Sequence, residues 1–198
     1  MEKQKHTIRE KLVYHMMRIN LISLTFLAAL FFSCNSAEVN NPSTSLLPLV
    51  KNKEWNYKYE KSDSNISVKI IVISSISAGT RAQFDSFPFF GDFGNDIIEK
   101  SDGSYLLESQ SFMFIPPGDK IKSGYKWESK EWKCSVVNEK EDVNISGKVY
   151  KDCVHIRYSL SITFSAEIWL KIGVGVVKWS FIRTNPPSPE FGYFLLKD

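Results

Sequence analysis

Between residues 154 and 164 apolar and polar positions alternate without a break. Val154, Ile156, Tyr158, Leu160, Ile162 and Phe164 fall on one side, and His155, Arg157, Ser159, Ser161 and Thr163 on the other. This period of two predicts a strand with one buried and one wet face, because no helix gathers residues spaced by two onto one side. Shorter runs of the same kind predict strands at 55–61, 66–76, 81–84, 96–100, 105–109, 125–137, 143–145, 167–172, 174–182 and 193–196. Turn-forming clusters separate them: Ser62-Asp63-Ser64-Asn65, Ser77-Ala78-Gly79-Thr80, Ser101-Asp102-Gly103-Ser104 and Ser146-Gly147. No 3.6-residue stripe appears after residue 34, so helices are expected to be few and short. About ten short strands predict an all-β domain, either an antiparallel β-sandwich or a strongly curved half-barrel.

The front of the chain follows a different pattern. Lys3, Lys5, Arg9, Lys11 and Arg18 precede an apolar run from Leu21 to Phe32, and Ser33-Cys34-Asn35-Ser36 closes it. A basic start, a short apolar core and a small residue before cysteine predict an export leader over 1–33. The run is too short for a helix that spans a bilayer, which needs roughly 20 apolar residues. Because 33 residues is long for a leader and a well-formed one begins near Met17, translation is expected to start at Met16 or Met17. Phe31-Phe32-Ser33-Cys34 resembles a relaxed lipobox, the signal-peptidase II site of bacterial lipoproteins, with Phe31 and Phe32 in place of the usual Leu and small residue. The resemblance implies that Cys34 becomes the acylated first residue of the mature protein. Its partner is then the membrane, at an envelope address and most simply the outer membrane, with the facing leaflet left open. Residues 34–45 are polar with one proline and read as a tether, which leaves 46–198 as a single β domain.

Charge changes meaning once the leader is set aside. Five of the 25 Lys and Arg and two of the 22 Asp and Glu precede Cys34, so the mature chain carries 20 of each and is neutral. The overall +3 therefore belongs to export and points to no nucleic-acid partner.

Candidate chemistry is sparse. His155 is the sole histidine after the leader, and with Cys153 it supplies two metal ligands where zinc sites use three or four, so no metal and no cofactor is expected. The alternation makes His155 a solvent-facing strand residue. No nucleophile stands in a motif with a base, no carboxylate pair is singled out, and no catalytic residue is assigned. Gly173-Val174-Gly175 has no helix to follow it and reads as a bend between strands. Cys134 and Cys153 are a candidate disulfide in an oxidising envelope. Cys134 is in phase with Trp132 and Val136 on the apolar face, whereas Cys153 shares the wet phase of His155, so pairing would need a register slip. The five tryptophans, Trp55, Trp127, Trp132, Trp169 and Trp179, are expected inside. The segment from Phe84 to Gly94 holds Phe84, Phe87, Phe89, Phe90 and Phe93 among Gly, Pro and Asp. These phenylalanines, joined by the 112–117 stretch, either plug the open end of the sheet or form the mouth of a hydrophobic-ligand site.

Three further stretches resemble a group of uncharacterised bacterial lipoproteins. Leu46-Leu47-Pro48-Leu49-Val50-Lys51-Asn52-Lys53-Glu54-Trp55-Asn56-Tyr57 is similar to their P-L-x-x-G-N-x-W-x-Y opening, with Asn52-Lys53 in place of Gly-Asn. Tyr150-Lys151-Asp152-Cys153-Val154 and Trp169-Leu170-Lys171-Ile172-Gly173-Val174-Gly175-Val176-Val177-Lys178 resemble two later motifs. The resemblance implies a β domain like the half-barrel of lipoprotein carriers, and brings no catalytic residue with it. Two functions stay open: a binding or structural module of the envelope, or a carrier of lipid or another hydrophobic ligand on the concave face.

Overall fold

Alternation of the kind seen at 154–164 can bury a whole face only if many strands share one sheet, and the chain builds such a sheet. A computed structural model describes residues 44–86, 94–161, 164–184 and 187–197. Its strands are β1 Glu54–Tyr59, β2 Asn65–Ile76, β3 Gly79–Phe84, β4 Asp96–Glu99, β5 Tyr105–Leu107, β6 Phe112–Ile115, β7 Lys126–Ser129, β8 Trp132–Ile145, β9 Lys148–Ser161, β10 Phe164–Lys171, β11 Gly175–Thr184 and β12 Pro187–Lys197. All pairings are antiparallel, in the order β6-β5-β4-β3-β2-β1-β12-β11-β10-β9-β8-β7. The chain walks outward from β1 to β6, crosses to the far edge through residues 116–125, and returns from β7 to β12. First and last strands therefore meet in the middle, with Tyr59 opposite Tyr193.

The expected curved half-barrel is the form adopted, and curvature brings its two edges together. Met113 N–H donates to Ser129 Oγ at 2.7 Å, and Trp127 Nε1 donates to the Met113 carbonyl at 3.1 Å. These side-chain contacts join β6 to β7 where no ladder does. Twelve strands form in place of the expected ten or so because Phe112–Ile115, within the aromatic stretch, forms β6, and because the predicted 125–137 strand breaks at Lys130, whose φ of 55° turns β7 into β8. Helical content is limited, among the described residues, to two single 3₁₀ turns, Glu108–Gln110 and Gly118–Lys120.

Aromatic rings fill the concave side. Trp55 stacks near Phe84, Tyr57 meets Trp179 edge-on at 4.8 Å, and Tyr158 lies against Phe112, Phe114 and Trp127. The polar tips of these rings are satisfied by backbone: Trp55 Nε1 donates to the Val174 carbonyl, Tyr57 Oη to Val176 and Tyr158 Oη to Phe114. The hydroxyl of Tyr158 is pushed well above its ordinary pKa, first by burial. Gly173-Val174-Gly175 is the turn between β10 and β11, as expected. Gly175, at φ 103°, is required there because a Cβ would meet Trp55 Nε1 at 3.2 Å and Leu47 Cδ1 at 3.4 Å. Gly79, at φ 138°, is required more strictly, since a Cβ would run into the Glu99 carbonyl of the neighbouring strand.

The β8–β9 hairpin departs from simple alternation. Its register shifts between Val136 and Asn138, between Asn138 and Glu141, and between Glu141 and Val143, with Asp152 at φ 53°. Bulges bend strands and increase their twist. Here they swing the distal hairpin back across the convex side of β10 to β12, so that Asn144, Ile145 and Ser146 border the same depression as Glu60, Lys178 and Phe194. Val143, Ile145 and Tyr150 are buried beneath this arm. The arm ends in a two-residue turn, Ser146 at φ 50° and Gly147 at φ 88°, which matches the hand of twisted strands. Residues Ala166 to Leu170 of β10 are consequently buried on both faces.

Candidate functional site

The folded-back arm assembles a buried polar cluster drawn from four strands. His155 of β9, Glu167 and Trp169 of β10 and Lys178 of β11 are cross-strand neighbours on the convex face. Glu141 reaches them from the arm. His155 Nδ1 lies 2.9 Å from Glu141 Oε2, and its Nε2 lies 3.2 Å from Glu167 Oε2. Carboxylates only accept, so both contacts are hydrogen bonds when the ring carries both protons. The imidazole stacks on Trp169 with centroids 4.2 Å apart, Trp169 Nε1 donates to Glu141 Oε1 at 2.9 Å, and Lys178 Nζ sits 4.9 Å over the indole. Arg157 Nε completes the set with a 2.6 Å bond to Glu167 Oε1.

This placement corrects the sequence reading of His155 and Cys153 as solvent-facing. Both are buried, His155 at 6% exposure, because the arm covers the face that alternation marks as wet. Trp169 is buried as expected, but on that convex face rather than inside the barrel, unlike Trp55 and Trp179. The cluster missed by sequence reasoning left only a faint signal, an unusual His-x-Arg opposite Glu-x-Trp once strand pairing is known.

Burial by itself would raise the Glu167 carboxyl, but hydrogen bonds from His155 and Arg157 and their charges outweigh it and hold the pKa below the ordinary 4.5. A carboxylate with a depressed folded-state pKa stabilises the fold fully above its unfolded value and loses that contribution as pH falls through the folded one. The domain is therefore expected to lose stability on acidification below about 4.5 in a way that Glu167→Gln does not. Denaturant midpoints of the two proteins, followed across that range, should converge in acid.

Both ring nitrogens of His155 are engaged by carboxylates, and every partner of Glu167 is a neighbouring strand residue. Among the described residues no group of three or more His, Cys, Asp or Glu has metal-binding geometry.

The other sequence candidates resolve differently. Phe84 is no mouth residue: at 2% exposure it packs in the core beside Trp55, because it ends β3 with its side chain on the concave face. Phe87, Phe89, Phe90 and Phe93 lie outside the described residues, as does Cys34. In the 112–117 stretch, Phe112, Phe114 and Ile115 are fully buried in β6. Cys134 and Cys153 are free thiols rather than a disulfide. Cys134 pairs with Tyr158 and Cys153 with Glu141, which sets them five residues apart along β9, roughly 16 Å, where a bond needs Cβ atoms within about 4.5 Å. Burial pushes the thiol pKa of Cys134 to about 12 and that of Cys153 to about 11. Neither is expected to react with iodoacetamide in the native protein at neutral pH, and both should label once denaturant is added.

Two depressions lined by described residues are small. One, of about 180 Å³, is lined by Thr44, Ser45, Leu46, Glu99, Gly103, Tyr105 and Gly118. The other, of about 200 Å³, lies under the arm tip. Both are smaller than the roughly 300–1,000 Å³ typical of small-molecule sites.

No protein-family model matches the chain, and no curated protein matches it. Solved structures similar to it include a protein from Bacteroides fragilis, described as exported and of YmcC-like fold, at 11% identity and TM-score 0.45. Another is a protein from Parabacteroides distasonis, described as a lipoprotein, at 12% identity and TM-score 0.41. Each alignment covers 77% of this chain and 97% of the other. At these scores neither likeness carries an argument about this chain.

Proposed function

We propose that this chain is a lipid-anchored protein of the bacterial envelope, held through Cys34, whose β half-barrel is a binding or structural module and not an enzyme. The observation that carries the choice of module over carrier is the filled concave face. A carrier of lipid needs a continuous apolar cavity of several hundred Å³, whereas here Trp55, Tyr57, Phe84, Phe112, Phe114, Tyr158 and Trp179 occupy that space at 2% exposure or less. The reading of no enzymatic role is supported by the cluster around His155, whose hydrogen-bonding capacity is spent on tying the arm to the sheet.

Metabolic labelling with palmitate tests the anchor. The wild-type protein should incorporate label and Cys34→Ala should not; equal labelling of both removes the address. Native mass spectrometry of the purified protein tests the module. A mass free of non-covalent lipid is expected, and copurifying lipid beyond the covalent acyl chains would restore the carrier reading.

A further inference from the structure

The chain enters the half-barrel at one end, and that end is firmly built. The Ser45 carbonyl accepts from Gly173 N–H in the β10–β11 turn at 2.8 Å. Ser45 Oγ meets Tyr105 Oη at 2.5 Å, and Tyr105 Oη donates to the buried Glu99 carboxylate at 2.7 Å. Leu47 is buried behind them. The β2–β3 turn closes against the same place, since Gly79 abuts the backbone of Glu99. The entering segment, the β2–β3 turn and the β10–β11 turn therefore form one rim.

Exposed apolar side chains concentrate on this rim. Eight large hydrophobic residues are exposed among the described residues, and five of them are here: Val50, Ile71, Val72, Ile76 and Ile172. Their exposure has a topological cause. β1 pairs with β2 only as far as Lys69, and the short segment at Asn52 and Lys53 continues that pairing no further than Ile70. β2 then runs on to Ile76 with β3 as its single ladder partner, projecting beyond the body of the sheet. Lys51, Lys53 and Lys171 flank the apolar positions. Long lysine stems lie along apolar surface while their ammonium groups reach water or headgroups.

What covers this rim is indicated by the chain that leaves it. Ten residues separate Cys34 from Ser45, and even fully extended the eleven steps reach no more than roughly 40 Å. On the reading that Cys34 is acylated, the rim is the part of the domain nearest the bilayer and is held there by a short length of chain. Tethering makes contact intramolecular, so even weak insertion is populated. We propose that this rim is a membrane-docking surface, with Val50, Ile76 and Ile172 entering the boundary between headgroups and acyl chains. The half-barrel then stands end-on, its arm and His155 cluster facing sideways and its far end outward.

The test rests on the proposed anchor but separates the two. Val50→Cys, Ile76→Cys and Ile172→Cys, with Leu160→Cys as a control on the far end of β9, are each labelled with a polarity-sensitive fluorophore in the lipidated protein. The buried native thiols stay unlabelled. The protein is reconstituted in phosphatidylethanolamine–phosphatidylglycerol vesicles, with and without doxyl-labelled lipid. The three rim labels are expected to shift to the blue and to be quenched by doxyl lipid, while the Leu160 label is quenched by aqueous iodide alone. If the protein floats with the vesicles but its rim labels behave like Leu160, docking is overturned and the anchor stands. Rim labels shielded from iodide without vesicles would point to a second copy on the rim and overturn docking too. A protein that fails to float removes the anchor, and the docking surface with it.

Discussion

Replacing Tyr158 with alanine is expected to destabilise the domain by about 3–5 kcal/mol, the range for removing a large buried aromatic side chain. Tyr158 is fully buried toward the C-terminal end of β9, and its ring touches Phe112 and Phe114 of β6 and Trp127 of β7. It thus braces the seam at which the two free edges of the sheet approach each other. The alanine variant loses the ring, leaves a cavity between β6 and β9, and strands the Phe114 carbonyl that accepts from Tyr158 Oη at 2.7 Å. Tyr158→Phe separates these effects: it keeps the ring and loses one hydrogen bond, for a cost of about 1 kcal/mol. Against a typical total of about 5–15 kcal/mol, the first change removes a large share of the stability and the second a small one. Urea denaturation of the three proteins checks both values, and near-equal costs for the two variants would contradict a bracing role for the ring.

The second large effect is expected at the arm. His155→Leu leaves Glu141 and Glu167 flanking an apolar side chain that supplies no proton to either. Leaving a buried acceptor without its hydrogen-bond donor costs about 1–3 kcal/mol, and more where the acceptor is charged. Here the loss should be nearer 2–3 kcal/mol, because Arg157 remains on Glu167 and the Glu141 side chain keeps 34% of its exposure, so solvent screens part of the charge. Hydrogen exchange gives a second readout. Amides of Val143 to Tyr150 should lose protection in His155→Leu while those of β1 to β6 keep it, since the cluster ties the arm to β10 and does not touch the far half of the sheet.

Much of the sheet can be read directly from the chain, and the reasons are local. Strand type and the identity of the concave face follow from period-two alternation, as at Trp55 and Tyr57 or at Ile156 and Tyr158, because neighbouring side chains on a strand must point to opposite faces. Turns at Ser77-Ala78, Asp102-Gly103 and Ser146-Gly147 are legible for the same reason: their residues tolerate the backbone angles that reversal demands. β6 is less legible, because Phe112 to Ile115 is too short and too uniformly apolar to show a period.

The convex face is where sequence reasoning gives out. Cys153 and His155 occupy positions that alternation assigns to water, and they are dry only because the distal part of their own β8–β9 hairpin folds back over them. That hairpin is aimed by bulges at Val137, near Lys140 and at Asp152, and a bulge shows itself only once two strands are paired and one proves to hold an extra residue. The same non-local origin explains why Cys134 and Cys153 stay unpaired: a sequence containing two cysteines cannot state how far apart along the ladder they will stand. Sequence alone therefore determined an antiparallel β domain, the membership of its concave face and the positions of its tight turns, all consequences of chain geometry over a few residues. Tertiary structure decided the closure of the barrel through Tyr158, the burial of His155 between two carboxylates and the gathering of Val50, Ile76 and Ile172 on one rim, because each depends on which distant strands come to lie side by side.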